Sequence, residues 1–560
     1  MKMGKDQSAL NQRIGRYALG AGIAVFIVGI VLLACVPPVS RDALTHHLYV
    51  PKLYLEQGGI HEIPDCEFSY YPMNLDLLYM IPLAMGNDIL PKYIHFAFAL
   101  ATALLIFFYL RGRVGSTYGL LGVLLFISIP VILKLSITVY VDLGLIFFTT
   151  AALLYFIRWT ESEFRTRYLV FSAICCGLAL GTKYNGLITF FLLSMFTPFA
   201  YSVKNRHSKK VSVTTALYGA LFVLIALSVF SPWMARNVIW KGNPLYPMFD
   251  SLFQKEAGMP VEKGEQTIAD KPSISLDHFS FRKYAYGETP RDIALIPIRV
   301  FFQGQDDNPK YFDGVLNPYL FIFPLVWLCL TVKAAGRNKD SNFYLLAFAV
   351  FYLLFVFFRI DMRIRWIAPV IPPLVILTVF GIRSSLMILN NYFKGNRLQT
   401  GSVAVVLAVG AMLSLNMVYL VDQFDRVAPL DYLNGKVSRA DYISRFRADF
   451  KLHAYASRNL PNNATILGLF LGKRGYYSQR KIIFKAPLIK DLVARHAQPE
   501  EVAKALQNMG ITHLMFKRDL LERWVTDNFN LTETKTLEMV FNDHLTLLYG
   551  YRGYFLYKLI

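Results

Sequence analysis

The sequence predicts a polytopic α-helical membrane protein with a small α/β domain at its C-terminal end, and three observations carry that prediction. The 560 residues are 55% hydrophobic and only 17% charged, against roughly 25% charged in a soluble domain. Apolar runs recur up to Val421, most of them close to the roughly 20 residues that a bilayer-crossing helix needs. Beyond Val421 the pattern changes to short strand-like and helix-like segments. With a mean hydropathy of +0.39, disorder, an ordinary soluble enzyme and a nucleic-acid-binding module are excluded. The formal net charge of +20 then has to be read against the membrane.

The first run, Tyr17–Val36, carries no charge and follows Lys2, Lys5, Arg13 and Arg16. Further apolar runs lie near 92–110, 117–133, 141–157, 168–182, 186–202, 213–232, 315–332, 342–358, 367–389 and 401–421, giving about eleven expected spans. Short cytoplasmic loops are enriched in Lys and Arg. With the N-terminus cytoplasmic, the inside loops carry Arg111/Arg113, Arg158/Arg165/Arg167, Lys204/Arg206/Lys209/Lys210, Lys333/Arg337/Lys339 and Lys394/Arg397. Much of the positive charge is therefore a topological signal. The same parity puts residues 37–91, residues 233–314 and the tail outside, in the periplasm or its equivalent. The chain divides into a membrane domain, 1–421, and an extracytoplasmic domain, 422–560. In the latter, Ala464–Phe470 and Ile511–Phe516 read as strands, and Pro499–Met509 reads as a helix closed by Gly510. Leu537–Phe541, Leu545–Tyr549 and Tyr554–Ile560 read as closing strands. The five cysteines show neither a disulfide framework nor a zinc spacing.

Every inside loop is too short for a nucleotide-binding domain. Gly468 and Gly472-Lys473 have the wrong spacing for a phosphate-binding Gly-rich loop, and Arg474 stands where Ser or Thr is required. The chemistry is therefore expected on the outer face. There the first loop gathers Asp42, His46, His47, Lys52 and His61, and 42–56 and 73–85 have the spacing of helices lying in the interface. Asp42 is either a cap of the helix beginning at Ala43 or a functional acid at the membrane surface. Asp142, Lys183, Arg236 with Asn237, and Arg359, Asp361, Arg363 and Arg365 fall at the same depth. Each alone reads as a helix cap or a snorkelling cation, and Gly242-Asn243-Pro244 reads as a turn. Together they place two carboxylates and several cations from different helices on one side, where charge is costly and usually functional.

These segments resemble the GT-C class of glycosyltransferases, which includes the protein O-mannosyltransferases and the lipid A aminoarabinose transferase. The resemblance rests on Asp42 with His46-His47-Leu48, Tyr71-Pro72, Val141-Asp142-Leu143-Gly144, Thr182-Lys183-Tyr184-Asn185-Gly186, Arg236-Asn237 with Gly242-Asn243-Pro244-Leu245-Tyr246-Pro247, and Asp361–Pro369. It covers most of the chain as a layout. Ala43 stands where the O-mannosyltransferases pair Asp with Glu, which weakens any inference of a protein acceptor. The resemblance implies an inverting transfer of a sugar from a polyprenyl-phosphate carrier to a hydroxyl of a glycolipid, polysaccharide or protein, at the outer face of the inner membrane.

In such an enzyme Asp42 would be the general base and Asp142 a second acidic position that orients the acceptor, holds a cation or positions a metal. Lys183, Arg236, Arg363 and Arg365, with His47 and Lys52, would bind the donor phosphate and substrate. A lipid phosphate leaves as a stable anion, so it needs positive charge and no second carboxyl of the kind glycosidases use. No cofactor is required by this reading, although His46 and Asp142 could ligate a divalent metal. Adjacent histidines on a helix point about 100° apart, which disfavours His46 and His47 sharing one ion. Three alternatives stay open. A transferase of whole lipid-linked glycans, of ligase or polymerase type, would share this layout. A secondary transporter would show paired repeats and mid-membrane polar groups, and no repeat is visible. A non-catalytic scaffold would tolerate loss of Asp42.

Overall fold

Helices form at all eleven apolar segments. The computed structural model describes residues 2–206, 211–256, 278–334, 341–359, 362–392 and 398–560. Asp361 and the loop cations Lys209, Lys210, Arg337, Lys339, Lys394 and Arg397 lie outside the described residues. Among the described residues seven helices are long and apolar enough to cross a membrane, from Arg13–Ala34 to Val403–Val427, and an eighth is added if one bent pair is a single span. Thr166–Thr182, Tyr319–Val332 and Phe343–Phe358 are apolar but shorter.

The bent pair replaces the straight span expected at 117–133. Ser116–Ser128 and Pro130–Ser136 meet at 67° because Pro130 has no N–H to continue the ladder. It also forces Ile129 out of the helical region, to ψ 128°. Trp233, Arg236 and Asn237, expected in a loop, instead sit on the last turns of a helix running Val211–Lys241.

Inside the bundle, polar side chains bond across helices. The Asn416 amide donates to Ser128 Oγ (2.9 Å), Asn317 to Asn416 Oδ1 (2.8 Å), and the Tyr319 hydroxyl to the Leu125 carbonyl (2.7 Å). Such bonds and close backbone approach hold helices together where no hydrophobic gradient can. The closest approach is at Gly381, where a Cβ would lie 2.1 Å from the Phe323 carbonyl oxygen.

The first loop supplies a π-helical turn, Ala43–His47, and the helices Tyr49–Glu56 and Asn74–Ala84. Its inner faces bury Ala43, Leu48, Leu75 and Tyr79 against Val139 and Val141. The C-terminal domain is built on a five-stranded mixed sheet of β1 (Thr465–Leu469), β2 (Lys481–Ile483), β3 (His513–Lys517), β4 (Leu545–Tyr551) and β5 (Tyr554–Leu559), in the order β2-β1-β3-β5-β4. β1 runs parallel to β2 and β3, and β5 antiparallel to β3 and β4. Alternate residues face opposite layers. Leu467, Leu514 and Phe516 pack on the helices within 486–543, while Ile466, Met515 and Leu556 pack on the Phe450–Asn459 helix.

One expectation for this domain fails. Leu537–Phe541 is not a strand but part of the helix Leu531–Asp543, which Asn530 and Glu533 start with a reciprocal capping box. Its Leu537 and Val540 are buried one helical turn apart. β2 went unseen because only three residues of a polar stretch pair there.

Gly381→Ala is expected to destabilise the detergent-solubilised protein by about 1–3 kcal/mol through overpacking, read as a lower melting temperature. An unchanged melting temperature would contradict the close approach of these two helices.

Candidate active site

Asp42 follows the first span by a few residues and precedes the π-helical turn. Its backbone is helical (φ −65°, ψ −32°) and its carboxylate makes no capping bond. The carboxylate instead accepts from Arg365 Nη1 at 2.5 Å, and the two side chains are 22% and 20% exposed. Arg365 lies on the short 3₁₀ turn Ile364–Trp366, ahead of the Ile371–Tyr392 helix. That turn is pinned by the Ile364 N–H donating to the Phe312 carbonyl at 2.8 Å. Burial pushes the Asp42 carboxyl up, but Arg365, His46 and His47 together outweigh it and hold the group well below the usual carboxylate range. For Arg365 burial works against the charge, and Asp42 and Asp142 more than restore it. Both acids therefore favour the charge on this guanidinium, although only Asp42 bonds to it.

Asp142 opens the Asp142–Glu161 helix, and its Oδ1 accepts from Lys183 Nζ at 2.7 Å. Lys183 stands just past the end of the Thr166–Thr182 helix. Asp142 Oδ2 and Arg365 Nε are buried and have no hydrogen-bond partner among the described residues. Buried polar atoms of this kind are uncommon. Two residues that sequence reasoning missed hold this corner. His95 Nε2 accepts from the Leu143 N–H at 2.9 Å, so its Nδ1 carries the proton and donates to Leu135 and Thr138 carbonyls, each at 3.0 Å. The Tyr140 ring lies 5.3 Å from the Arg365 guanidinium. A histidine inside an apolar span was the available signal for His95; Tyr140 offered none.

His47 Nδ1 pairs with Asp76 at 2.7 Å and its ring lies 5.8 Å from Tyr140. The carboxylate fixes the tautomer by accepting from Nδ1. His46 stacks on Phe68 with ring centroids 4.3 Å apart, and its Nδ1 meets Thr45 Oγ1 at 2.8 Å. Burial, helped by His47, pushes the His46 ring well below its ordinary value, so the imidazole is neutral near pH 7. Among the described residues no three His, Cys, Asp or Glu side chains gather as a metal site. Cations face Asp142, so this donor set does not fit a resident divalent ion at His46 and Asp142.

The other predicted residues lie elsewhere. Arg236 donates to the Tyr70 carbonyl, to the Tyr71 carbonyl (3.0 Å) and to Asn237 Oδ1, and stacks between Trp233 and Trp240. It fastens the first loop. Arg363 lies 3.8 Å from Asp313 and over the Trp366 ring. Lys134 pairs with Asp306 (3.2 Å) and Asp307 (3.4 Å). Lys52 reaches the C-terminal domain, donating to the Tyr476 and Ser478 carbonyls at 3.0 and 2.5 Å.

Comparison with solved structures decides what this arrangement is similar to. ArnT from Cupriavidus metallidurans in the apo state superposes with a TM-score of 0.59 at 14% identity, over 97% of this chain and 98% of that one. The chain has the GT-C fold. The same enzyme bound to undecaprenyl phosphate gives 0.58 at 13% identity over 96% and 97%. The Archaeoglobus fulgidus oligosaccharyltransferase tethered to an acceptor peptide gives 0.54 at 12% identity, over 96% of this chain and 74% of that one. Residues 83–235 match the family model described as dolichyl-phosphate-mannose-protein mannosyltransferase. That stretch contains Asp142 and Lys183 but neither Asp42 nor Arg365. None of the curated proteins matches the sequence.

His95→Leu leaves the Leu143 N–H buried without an acceptor, an expected cost of about 1–3 kcal/mol. Thermal unfolding in detergent should show it as a lowered midpoint. An unchanged midpoint would mean that His95 does not hold the start of this helix.

Proposed function

We propose that this chain is an integral-membrane glycosyltransferase that moves a sugar from a polyprenyl-phosphate carrier to a hydroxyl of an envelope glycolipid, glycan or protein. The reaction takes place on the outer face of the cell membrane, with the N-terminus in the cytoplasm. The observation that carries this reading is the Asp42–Arg365 pair beside the Asp142–Lys183 pair. It is a corner with one partly open carboxylate and two cations, supplied by segments far apart in the chain. The fold supports it as well, because it is shared with a protein seen bound to undecaprenyl phosphate and with one tethered to an acceptor peptide.

The chemistry follows from the groups. Asp42, ionised at neutral pH, accepts the proton of the acceptor hydroxyl as that oxygen bonds to the anomeric carbon. The bond from this carbon to the phosphate oxygen breaks, and the electron pair leaves with the lipid phosphate. One displacement inverts the anomeric centre. Arg365 and Lys183 face the developing negative charge. Arg offers a fork and Lys a point charge, and such fixed donors are the largest contribution in many enzymes. In the resting site Arg365 also weakens Asp42 as a base. A donor phosphate that draws the guanidinium toward itself lets burial raise the Asp42 carboxyl, so the base strengthens once the donor is seated.

The sugar is identified by incubating the purified protein with a panel of undecaprenyl-phosphate sugars and finding the one that loses its sugar. With that donor, Asp42→Asn is expected to lower turnover at least a hundredfold, within the range of general base catalysis. Insertion and melting temperature should not change, and full activity would remove Asp42 as the base. Lys183→Ala and Arg365→Gln are expected to weaken binding of undecaprenyl phosphate about tenfold each, since a charged hydrogen bond contributes about 1.5–3 kcal/mol. Unchanged affinity in both would eliminate the phosphate site.

The pH dependence has a defined sign. With Arg365 present, the Asp42 carboxyl stays ionised throughout the working range. In Arg365→Gln the largest influence opposing burial is lost, so the carboxyl rises from its depressed value, with His46 and His47 still opposing burial. The remaining activity should therefore fall as the pH is lowered through a limb that the parent lacks. Identical pH profiles in parent and variant would contradict this coupling.

A further inference from the structure

The backbone on either side of Asp42 is held from the far end of the chain. Residues 37–40, between the first span and the π-helical turn, belong to no helix or strand, so their carbonyls need partners from elsewhere. The Pro38 carbonyl accepts from the Tyr477 hydroxyl at 2.8 Å, the Val39 carbonyl from Arg447 Nε at 2.6 Å, and the Leu44 carbonyl from the Tyr476 N–H at 3.2 Å. All three donors belong to the extracytoplasmic domain, and they bracket Asp42 on both sides. Two of them sit on a tongue, residues 472–480, between β1 and β2.

The tongue is itself fitted closely. At Gly475 a Cβ would lie 2.3 Å from the ring of Tyr49, so any side chain there forces the ring or the tongue to shift. Tyr476 packs on the cluster that contains Ala43 and Leu48, and its hydroxyl donates to Asp88 at 3.2 Å. Arg474 ties the base of the tongue to Asp449 at 3.0 Å. From the loop side Lys52 closes the contact by donating to two tongue carbonyls.

We infer that the extracytoplasmic domain positions the base: Tyr477, Arg447 and Gly475 hold the 38–44 backbone so that the Asp42 carboxylate stays at the reacting geometry. None of the three is a catalytic residue. The inference rests on the reading of Asp42 as the base, and it assigns to this domain a part in turnover that does not depend on contact with substrate. A misplacement of about 1 Å can cost a hundredfold in rate, and loss of two of three backbone anchors permits one.

The test uses the full-length detergent-solubilised chain, with parent, Tyr477→Phe/Arg447→Gln, Gly475→Ala and Arg447→Lys compared. Amide hydrogen exchange over residues 42–48 should be at least tenfold faster in the double variant and in Gly475→Ala, with exchange in the Asp142–Glu161 helix unchanged. Turnover with the donor found in the panel should fall at least tenfold at unchanged KM and unchanged undecaprenyl-phosphate affinity. Arg447→Lys, which keeps a donor, should recover most of the rate. Unchanged exchange would overturn the clamp, and faster exchange with undiminished turnover would overturn its positioning role. A raised KM with unaltered kcat would mark the tongue as part of a binding surface and overturn the inference as well. Full activity in Asp42→Asn, measured separately, would instead overturn the underlying assignment of the base, and the positioning role with it.

Discussion

The contact on which the rest of the site depends is the ion pair between Asp42 and Arg365, 323 residues apart in sequence. It closes the membrane domain upon itself. One partner comes just after the first span, and the other just before the Ile371–Tyr392 helix. A partly buried pair of this kind is weak evidence for stability, because desolvation offsets much of the attraction. Its consequence is chemical. The guanidinium keeps a half-buried carboxylate ionised, Asp142 on a third segment also favours the guanidinium's charge, and in the proposed reaction this cation would serve as a phosphate ligand beside the base.

The supporting structure explains how the pair stays in register. Arg365 is set by the Ile364 contact with the Phe312 carbonyl and by the packing of Gly304 and Gly314 against the Ile364 side chain. Asp142 is set by the His95 acceptor at the start of its helix. The backbone around Asp42 is held by Tyr476 and Tyr477 on the tongue and by Arg447, all in the C-terminal domain. Three independent anchors converge on one corner, which is how a shallow interfacial site acquires the rigidity that positioned charges need. A domain with no acid–base constellation of its own then has a reason to be packed against the membrane part.

What was legible in the sequence follows the strength of each physical signal. Apolar segments near 20 residues long cannot hide, so a helix forms at every expected segment, although among the described residues only seven or eight are long and apolar enough to cross a membrane. The acids and cations at one depth were equally visible, because charge near a bilayer is rare, and Asp42, Asp142, Lys183 and Arg365 do come together. Rank within the cation set was not visible. Arg236 and Lys52 have the same side-chain chemistry as Arg365 and Lys183, but backbone carbonyls claim them, and only three-dimensional structure shows which acceptors lie within reach. Leu537–Phe541 misled because five apolar and polar residues cannot distinguish a strand from a helix, whereas the Asn530 cap upstream could have.

The fold leaves the acceptor open, since it is shared by a protein tethered to a peptide and by ArnT. The proposed phosphate site at Arg365 and Lys183 makes the sharper claim. The most direct measurement is therefore a density map of this protein with undecaprenyl phosphate added. The account predicts a phosphate within hydrogen-bonding reach of both Arg365 and Lys183, with the guanidinium drawn partly away from Asp42. A phosphate seated elsewhere, with the Asp42–Arg365 pair undisturbed, would contradict it.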